Sequence, residues 1–346
     1  MNPVYIYDPI YLAHDQPAHP ENARRLLHTM HTLEDEGILA RLTSLEPRPA
    51  TEAELERVHT PAHIREVKMI AQSGGGHLDL DTYVAPRSFD AALMAAGGLI
   101  KAVETVLTGE IKKAFALVRP PGHHATPNRG MGFCLFNNVA VAARAALAQE
   151  DGHVERVFIV DFDVHHGNGT QDAFAADANV FYVSTHQYPY YPGTGRHDET
   201  GHGDGQGTVF NVPLPPQVGD SGYIRIFQEL VWPLAQRFQP DLILVSAGYD
   251  AHWSDPLAHM NLSLAGYAQL ARELVRMSND LCDGRLVFTL EGGYHLDVLA
   301  YGVLNTLYAV LEEETIVDPL GPSPRDDRPI DALIPRLKAI HHLTQG

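Results

Sequence analysis

Residues 157–170 read Val-Phe-Ile-Val-Asp-Phe-Asp-Val-His-His-Gly-Asn-Gly-Thr, and no other stretch constrains the fold as strongly. Four apolar, partly β-branched residues run without a break into a cluster of acids and imidazoles. A short, continuous apolar run bounded by glycine is the pattern of a strand buried on both faces, as in a parallel sheet. The polar cluster then falls where the strand ends, the edge at which open α/β sheets bind ligands. In extended backbone, residues i and i+2 point the same way. Asp163 and His165 can therefore close on one cation, and Asp161 lies on the same face one step deeper. Asp-x-Asp alone would describe a solvated acidic turn. Asp-x-Asp-x-His-His after an apolar strand moves the reading to a metal site.

The rest of the chain repeats this grammar. Further strands are expected at 4–7, 114–118, 180–184, 208–212, 242–247 and 286–290. Helices are expected at about 20–36, from Pro61 to the Gly74-Gly75-Gly76 stop, and at 87–107, 137–149, 223–238, 264–281 and 297–311. One more should follow the Pro-rich segment 319–329. Thr51 with Glu54 reads as a capping box, and Gly97-Gly98 marks a close-packing face of the Ala-rich helix. Strands alternating with helices imply a mainly parallel sheet covered on both faces, a three-layer α/β/α unit. No internal repeat or low-complexity linker divides the chain. Polar clusters recur at strand ends along its whole length, so residues 1–346 are expected to form a single domain.

Four strand ends carry the candidates: His123 and His124; Asp161, Asp163 and His165; Asp250; and Tyr294. Asp163, His165 and Asp250 make a three-ligand set with open positions, the catalytic rather than the structural zinc pattern. A cation held this way binds a water and polarises a carbonyl oxygen. His123-His124 then offers a general base, and Asp161 behind one imidazole raises its basicity and fixes its tautomer. A tyrosine hydroxyl on the Gly-rich, mobile turn Glu291-Gly292-Gly293-Tyr294 can donate to a developing oxyanion. Metal water, paired imidazoles and a phenol together describe hydrolysis of an amide.

Composition narrows the partners. A net charge of -18 argues against a nucleic-acid phosphate binder and favours cationic substrates. Cys134 and Cys282 are the only cysteines, so no disulfide framework exists and a reducing cytoplasm is the expected setting. No base is placed for Cys134, which reads as a small buried residue. Residues 1–11 show no basic start or long apolar run, so no signal peptide is expected, and no stretch suits a membrane span. Of the 20 histidines, His14, His19, His186, His252 and His295 read as loop or rim residues.

With these residues in view, the chain is similar to a known family. Arg-Pro-Pro-Gly-His-His-Ala from 119, Gly-Phe-Cys-Leu-Phe-Asn-Asn from 132, Asp-Phe-Asp-Val-His-His-Gly-Asn-Gly-Thr-Gln from 161, Ser-Ala-Gly-Tyr-Asp from 246 and Glu-Gly-Gly-Tyr from 291 resemble the zinc-dependent histone deacetylase family of the arginase/deacetylase fold. The His-His-Gly-Asn-Gly-Thr-Gln form resembles its class II branch and bacterial amidohydrolases, and the likeness runs from about His19 to about Tyr301.

The resemblance implies an amidohydrolase that removes acetyl or other short acyl groups from lysine side chains by metal-activated water. Asp163, His165 and Asp250 would bind zinc, with iron an admissible substitute. His124 would be the general base, His123 with Asp161 its electrostatic partner, and Tyr294 the group polarising the scissile carbonyl. Phe133 and Tyr191, beside Gly132, match the walls of a narrow acyl-lysine tunnel. Asp81 matches a residue that accepts from the substrate backbone, and Arg25 an arginine of an internal cavity below the metal. Structural potassium would use Asp161, Asp163, His165, Ser184 and Thr185, and a second ion the carbonyls of Phe174, Asp177, Val180 and Thr208.

Two positions depart from the family's variants. Asn168 stands where class I members place Asp behind the second histidine, which should make His124 a weaker base. Leu257 stands where polyamine-selective relatives place a gatekeeping Glu. The competing readings are an acetylpolyamine or other small-amide deacetylase, an arginase-like binuclear hydrolase and a non-catalytic acyl-lysine binding module. The binuclear reading needs a second set of carboxylates, and the binding module needs a broken site. The expected partners are acylated peptides, proteins or small amines, with no nucleic acid and no membrane, and the sequence leaves room for a homo-oligomer. Leu257→Glu should move preference toward acetylpolyamines; an unchanged ratio of turnover on N-acetylputrescine and on acetyl-lysine peptide would remove the gatekeeper argument.

Overall fold

The uninterrupted apolar runs find one another in a single sheet. The computed structural model describes residues 2–149 and 154–343. Its strands are β1 (Val4–Ile6), β2 (Thr43–Ser44), β3 (Gly76–His77), β4 (Tyr83–Val84), β5 (Lys113–Ala116), β6 (Val157–Asp161), β7 (Val180–Gln187), β8 (Val209–Leu214), β9 (Leu242–Ala247) and β10 (Leu286–Leu290). Its helices are α1 (Arg24–Asp35), α2 (Glu52–Leu55), α3 (Pro61–Gln72), α4 (Ser88–Leu107), α5 (Asn138–Leu147), α6 (Asn168–Phe174), α7 (Asp220–Ile226), α8 (Trp232–Phe238), α9 (Leu264–Leu281), α10 (Leu296–Val310) and α11 (Leu333–Ile340). Eight strands lie in the order β2-β1-β5-β10-β9-β6-β7-β8. Every pairing in this sheet is parallel. β3 and β4 form a separate antiparallel pair inside what the sequence presents as a loop.

All residues of β5, β6, β9 and β10 are buried, which is why these strands read as continuous apolar runs rather than alternating ones. Helices cover the sheet in two groups. α4 and α5 pack on each other and reach β1, β5, β9 and β10, while α1, α10 and α9 form the other packed group. This is a single-domain α/β architecture with helices flanking a parallel sheet.

The strand order is what gathers the polar clusters. β5, β6, β9 and β10 are neighbours in space in the order β5-β10-β9-β6. Since they are parallel, their C-terminal ends share one edge. Asp161 pairs with Ser184 on one side and Ser246 on the other, and Thr289 also pairs with Ser246, so the side chains that follow emerge together.

Several local expectations shift. α1 starts at Arg24 rather than near residue 20, because the preceding residues are tied elsewhere: Asp15 accepts from the Ala23 amide at 2.8 Å, and the Glu21 carboxylate is bonded to Arg25 and Arg119. α6 begins within Gly-Asn-Gly-Thr, where two glycines carry poor helix propensity and give no local signal. Packing requires one of them, since a Cβ on Gly169 would sit 2.2 Å from the Ala125 carbonyl oxygen. β7 continues to Gln187 because β8 pairs with it that far. The helix read over 223–238 contains a π turn, Phe227–Val231, just before Pro233, whose ring nitrogen cannot donate to the preceding turn. Thr51 and Glu54 do form a reciprocal capping box.

Gly97 of α4 packs directly on the segment before α2: a Cβ there would lie 2.0 Å from the Arg48 carbonyl oxygen. Gly97→Ala should therefore destabilise the protein by ~1–3 kcal/mol through overpacking, despite a helix-propensity gain of about 1 kcal/mol. The check is a lower urea midpoint with an unchanged m-value.

Candidate active site

The turn after β6 delivers Asp163 and His165, and the turn after β9 delivers Asp250. One donor atom from each lies within 4.8 Å of the others, and all three residues are buried. His165 Nδ1 sits 3.2 Å from Asp163 Oδ1 and 3.1 Å from Asp250 Oδ2. Each carboxylate is anchored through its other oxygen: Asp163 Oδ2 accepts from the Gly292 amide at 2.8 Å, and Asp250 Oδ1 from the Val164 amide at 2.8 Å. Burial disfavours charge on His165, yet its hydrogen bonds to Asp163 and Asp250 outweigh this and push it up to about 10. Burial lifts Asp250, and the Asp163 charge adds to the lift. Two buried carboxylates around one point call for a positive charge there.

The two histidines after β5 have opposite surroundings although their rings are 4.0 Å apart. His123 Nδ1 lies 3.1 Å from Asp161 Oδ2, which also accepts from the Tyr182 hydroxyl at 2.9 Å. Burial opposes its charge, but Asp163 and Asp161 prevail and push it up to about 10. His124 Nδ1 lies 2.8 Å from Asn168 Oδ1. Burial, with the charges of His123 and His165 beside it, holds His124 well below the usual histidine range. An amide oxygen is an acceptor only, so His124 carries its proton on Nδ1 and presents a free Nε2 lone pair.

Tyr294 stands on a turn that the sequence suggested would be mobile. The turn is pinned on both sides. Arg25, fully buried, donates to the Glu291 carbonyl at 2.6 Å and the Gly293 carbonyl at 2.7 Å, and its guanidinium lies 5.0 Å from the Tyr294 ring centroid. Asp255 Oδ2 accepts from the Tyr294 amide at 2.8 Å. Arg25, read as lining a cavity, thus has its donors engaged by the tyrosine turn and Glu21. Asp255, two residues before Leu257, holds the turn from the other side through its bond to the Tyr294 amide. Neither role carries a sequence signal, because both run through backbone atoms far away in the chain.

Above these groups lies a cavity of ≈ 260 Å³. Phe133, Tyr191 and Leu257 supply its apolar walls, and Gly132 and Asp81 also border it. Burial, helped by Asp79, raises the Asp81 carboxyl. Phe133 has φ 70°, an uncommon left-handed conformation, and is held by the Thr82 hydroxyl at 3.1 Å from its amide. Tyr190, not among the residues expected at the site, also lines the cavity. Its ring stacks on His165 with centroids 5.8 Å apart, and its hydroxyl donates to the Leu257 carbonyl at 2.8 Å. Nothing in Tyr-Pro-Tyr-Tyr-Pro says which tyrosine faces inward.

The residues read as potassium ligands fall in two places. Ser184 and Thr185 lie on β7 beside Asp161, and the Thr185 hydroxyl is buried without a hydrogen-bond partner among the described residues. Phe174 ends α6 and Asp177 follows it, the Asp177 carbonyl is 3.3 Å from the Thr208 hydroxyl, and Val180 opens β7. A second buried group, His123, Cys134 and Glu291, also has metal-compatible atoms within 4.8 Å. Its Glu291 is already bonded to backbone amides and Ser246, so it does not form the second carboxylate set of a binuclear centre.

A buried imidazole–carboxylate cluster, a neutral imidazole with a free lone pair and a protonated phenol at the foot of an apolar tunnel define an amide-hydrolase type of centre. Comparison with known proteins agrees. The histone deacetylase domain matches residues 19–310. A probable deacetylase of Archaeoglobus fulgidus is 45% identical over 304 residues, 87% of this chain and 84% of that protein. Histone deacetylase 14, chloroplastic, of Arabidopsis thaliana is 40% identical over 353 residues, 96% of this chain and 83% of that protein. The crystal structure of the HDA15 HD domain superposes with a TM-score of 0.89 at 37% identity, covering 98% of this chain and 94% of that one. The chain belongs to the histone deacetylase family, and with it to the deacetylase hydrolases.

Gly132 lets this site stay open. Its φ is 55°, and a Cβ would fall 2.4 Å from His124 Cδ2 and 3.0 Å from the Tyr191 hydroxyl. Gly132→Ala should cost at least tenfold in kcat/KM on an acyl-lysine substrate, since a misplacement of about 1 Å at a reacting centre costs roughly 100-fold. Steady-state kinetics with thermal melting as a folding control would check this.

Proposed function

We propose that the chain is a zinc-dependent lysine deacylase that hydrolyses the amide of acetyl-lysine or a short acyl homologue. The observation that carries the reading is the meeting of the Asp163, His165 and Asp250 donor atoms beside a neutral His124 at the foot of an apolar tunnel. Two carboxylates and one imidazole fit zinc, leave positions open and supply the negative charge a divalent ion needs. When bound, the ion would act as a Lewis acid and lower the pKa of a water.

The remaining work falls to side chains. Phe133 and Tyr191 enclose the alkyl stem of the lysine, while Asp81 at the rim accepts from the substrate backbone. His124 Nε2 takes the proton of the attacking water, and Asn168 keeps the opposite nitrogen protonated. His123, charged and held by Asp161, stabilises the negative charge that builds during attack. The Tyr294 hydroxyl, kept protonated well above its usual range by burial, donates to the developing oxyanion. The proton gained by the histidine pair then goes to the departing amine.

Potassium at Asp161, Asp163, His165, Ser184 and Thr185 would balance the buried acids from behind, and the unpartnered Thr185 hydroxyl supports an occupant there. Leu257 gives the wall no carboxylate for a polyamine ammonium, which favours lysine. Two buried free cysteines suit a reducing, cytoplasmic setting, and among the described residues no helix is long and apolar enough to cross a membrane.

The test is turnover of metal-loaded protein on an acetyl-lysine peptide and on N-acetylputrescine, with a chelator control. Chelator-sensitive cleavage of the peptide is expected; cleavage of the polyamine alone would transfer the reading to small amides. His124→Ala should abolish turnover while zinc stays bound. Tyr294→Phe should lower kcat ~100-fold or more, the loss typical of one oxyanion donor, and a rate like that of the wild type would mean another group polarises the carbonyl.

A further inference from the structure

Glu291 follows β10 directly and is fully buried. Its Oε2 accepts from the Gly122 amide at 2.7 Å and the His123 amide at 3.2 Å. Its Oε1 accepts from the Ser246 hydroxyl at 3.1 Å. The first two donors are the backbone of the turn that carries both histidines. The third ties the carboxylate to β9, one strand away. The two backbone amides bonded to Glu291 can only donate and the Ser246 hydroxyl donates here, so these groups can solvate an anion, while burial lifts the carboxyl to about 7 and leaves its full charge to conditions above neutrality.

This anion lies on the turn whose base-bearing ring has a neutral partner. Asn168 orients the His124 ring but adds no charge to it. Negative charge behind a histidine stabilises the imidazolium formed when it takes a proton. Here the charge reaches the pair through the peptide that bears it rather than through the ring nitrogen of His124.

We propose that Glu291 is a positioning residue for the histidine pair: its carboxylate fixes the Gly122–His123 backbone and supplies the negative charge that Asn168 does not. The inference rests on His124 acting as the base of the deacylase reading. It makes Glu291 and Asn168 a coupled pair in which charge on one substitutes for charge on the other.

Glu291→Gln isolates the charge. The carboxamide oxygen can accept both amides, and its NH₂ can meet the Ser246 hydroxyl, which turns to accept. In the zinc-loaded full chain above neutrality, E291Q should keep the wild-type zinc content and KM and lose ~10- to 100-fold in kcat. Adding Asn168→Asp to E291Q should then recover about tenfold. A purely structural role predicts no such recovery. Unchanged kcat in a folded E291Q, or no recovery in the double variant, overturns the proposal.

Should E291Q fail to fold, Glu291→Asp retains the charge one methylene short. A folded, active E291D sustains the assignment, and an unfolded one reduces Glu291 to a structural strut and overturns it. Wild-type protein that does not cleave the peptide would count against the deacylase reading alone. The imidazole N–H resonances of the histidine pair in NMR then still decide the point: they should shift in E291Q and return with Asn168→Asp, and unmoved resonances refute the coupling.

Discussion

Among the described residues, five carboxylates, those of Glu21, Asp161, Asp163, Asp250 and Glu291, are fully buried. An isolated buried carboxylate is heavily destabilising, so each must be surrounded by donors or opposite charge. That requirement organises the molecule. Glu21 lies between two buried arginines, with Arg25 Nη1 at 3.0 Å and Arg119 Nη2 at 2.8 Å. Arg119 also donates to the carbonyls of Tyr11 and His14, which fastens the N-terminal loop, and Arg25 fastens the Tyr294 turn. One buried ion cluster thus supports both the rim of the tunnel and a reacting group at its foot. Removing a member would leave uncompensated charge in the core, so the network is fixed as a unit.

The tunnel follows from the same division of labour. Its floor is polar because parallel strand ends expose backbone amides that the buried acids accept from, as Gly292 does for Asp163 and Val164 for Asp250. Its walls come from loops, and loops must be held by cross-chain bonds if a narrow slot is to keep its width. Thr82 holds Phe133, and Tyr190 joins the aromatic loop to the Leu257 loop. His19 adds a strap between the two edges: its ring packs edge-on to Phe133, and its Nε2 lies 3.0 Å from the Asp81 carbonyl.

Much of this was legible in the sequence because strands buried on both faces are read directly as apolar runs. The bounds of β9, β10 and α9 follow the expectation residue for residue. The ends of those strands also named the polar residues that the fold brings together, since a parallel sheet leaves them no other edge. What stayed hidden depended on partners distant in the chain. α6 is compelled by packing of Gly169 against Ala125, against the local propensity of its own residues. Asp255 and Glu291 act on backbone amides, and an amide carries no residue identity for a motif to reveal. Arg25 was placed near the site by resemblance, while its actual bonds to Glu291 and Gly293 required the register of α1 against the end of β10.

Two adjacent imidazoles in one buried turn cannot both carry charge cheaply, and the carboxylates decide which one does. Asp161 and Asp163 stand on the His123 side, and Asn168 stands behind His124. The asymmetry separates the pair into a charged member and a neutral one before any substrate arrives, as titratable groups pushed apart by their environments divide acid from base. A carboxylate behind His124 would narrow that separation by drawing charge onto the second ring. A neutral amide there preserves it, and still sets the tautomer that leaves Nε2 free. The loss of intrinsic basicity inferred from Asn168 is therefore one half of an arrangement whose other half keeps His124 neutral, with Nε2 free.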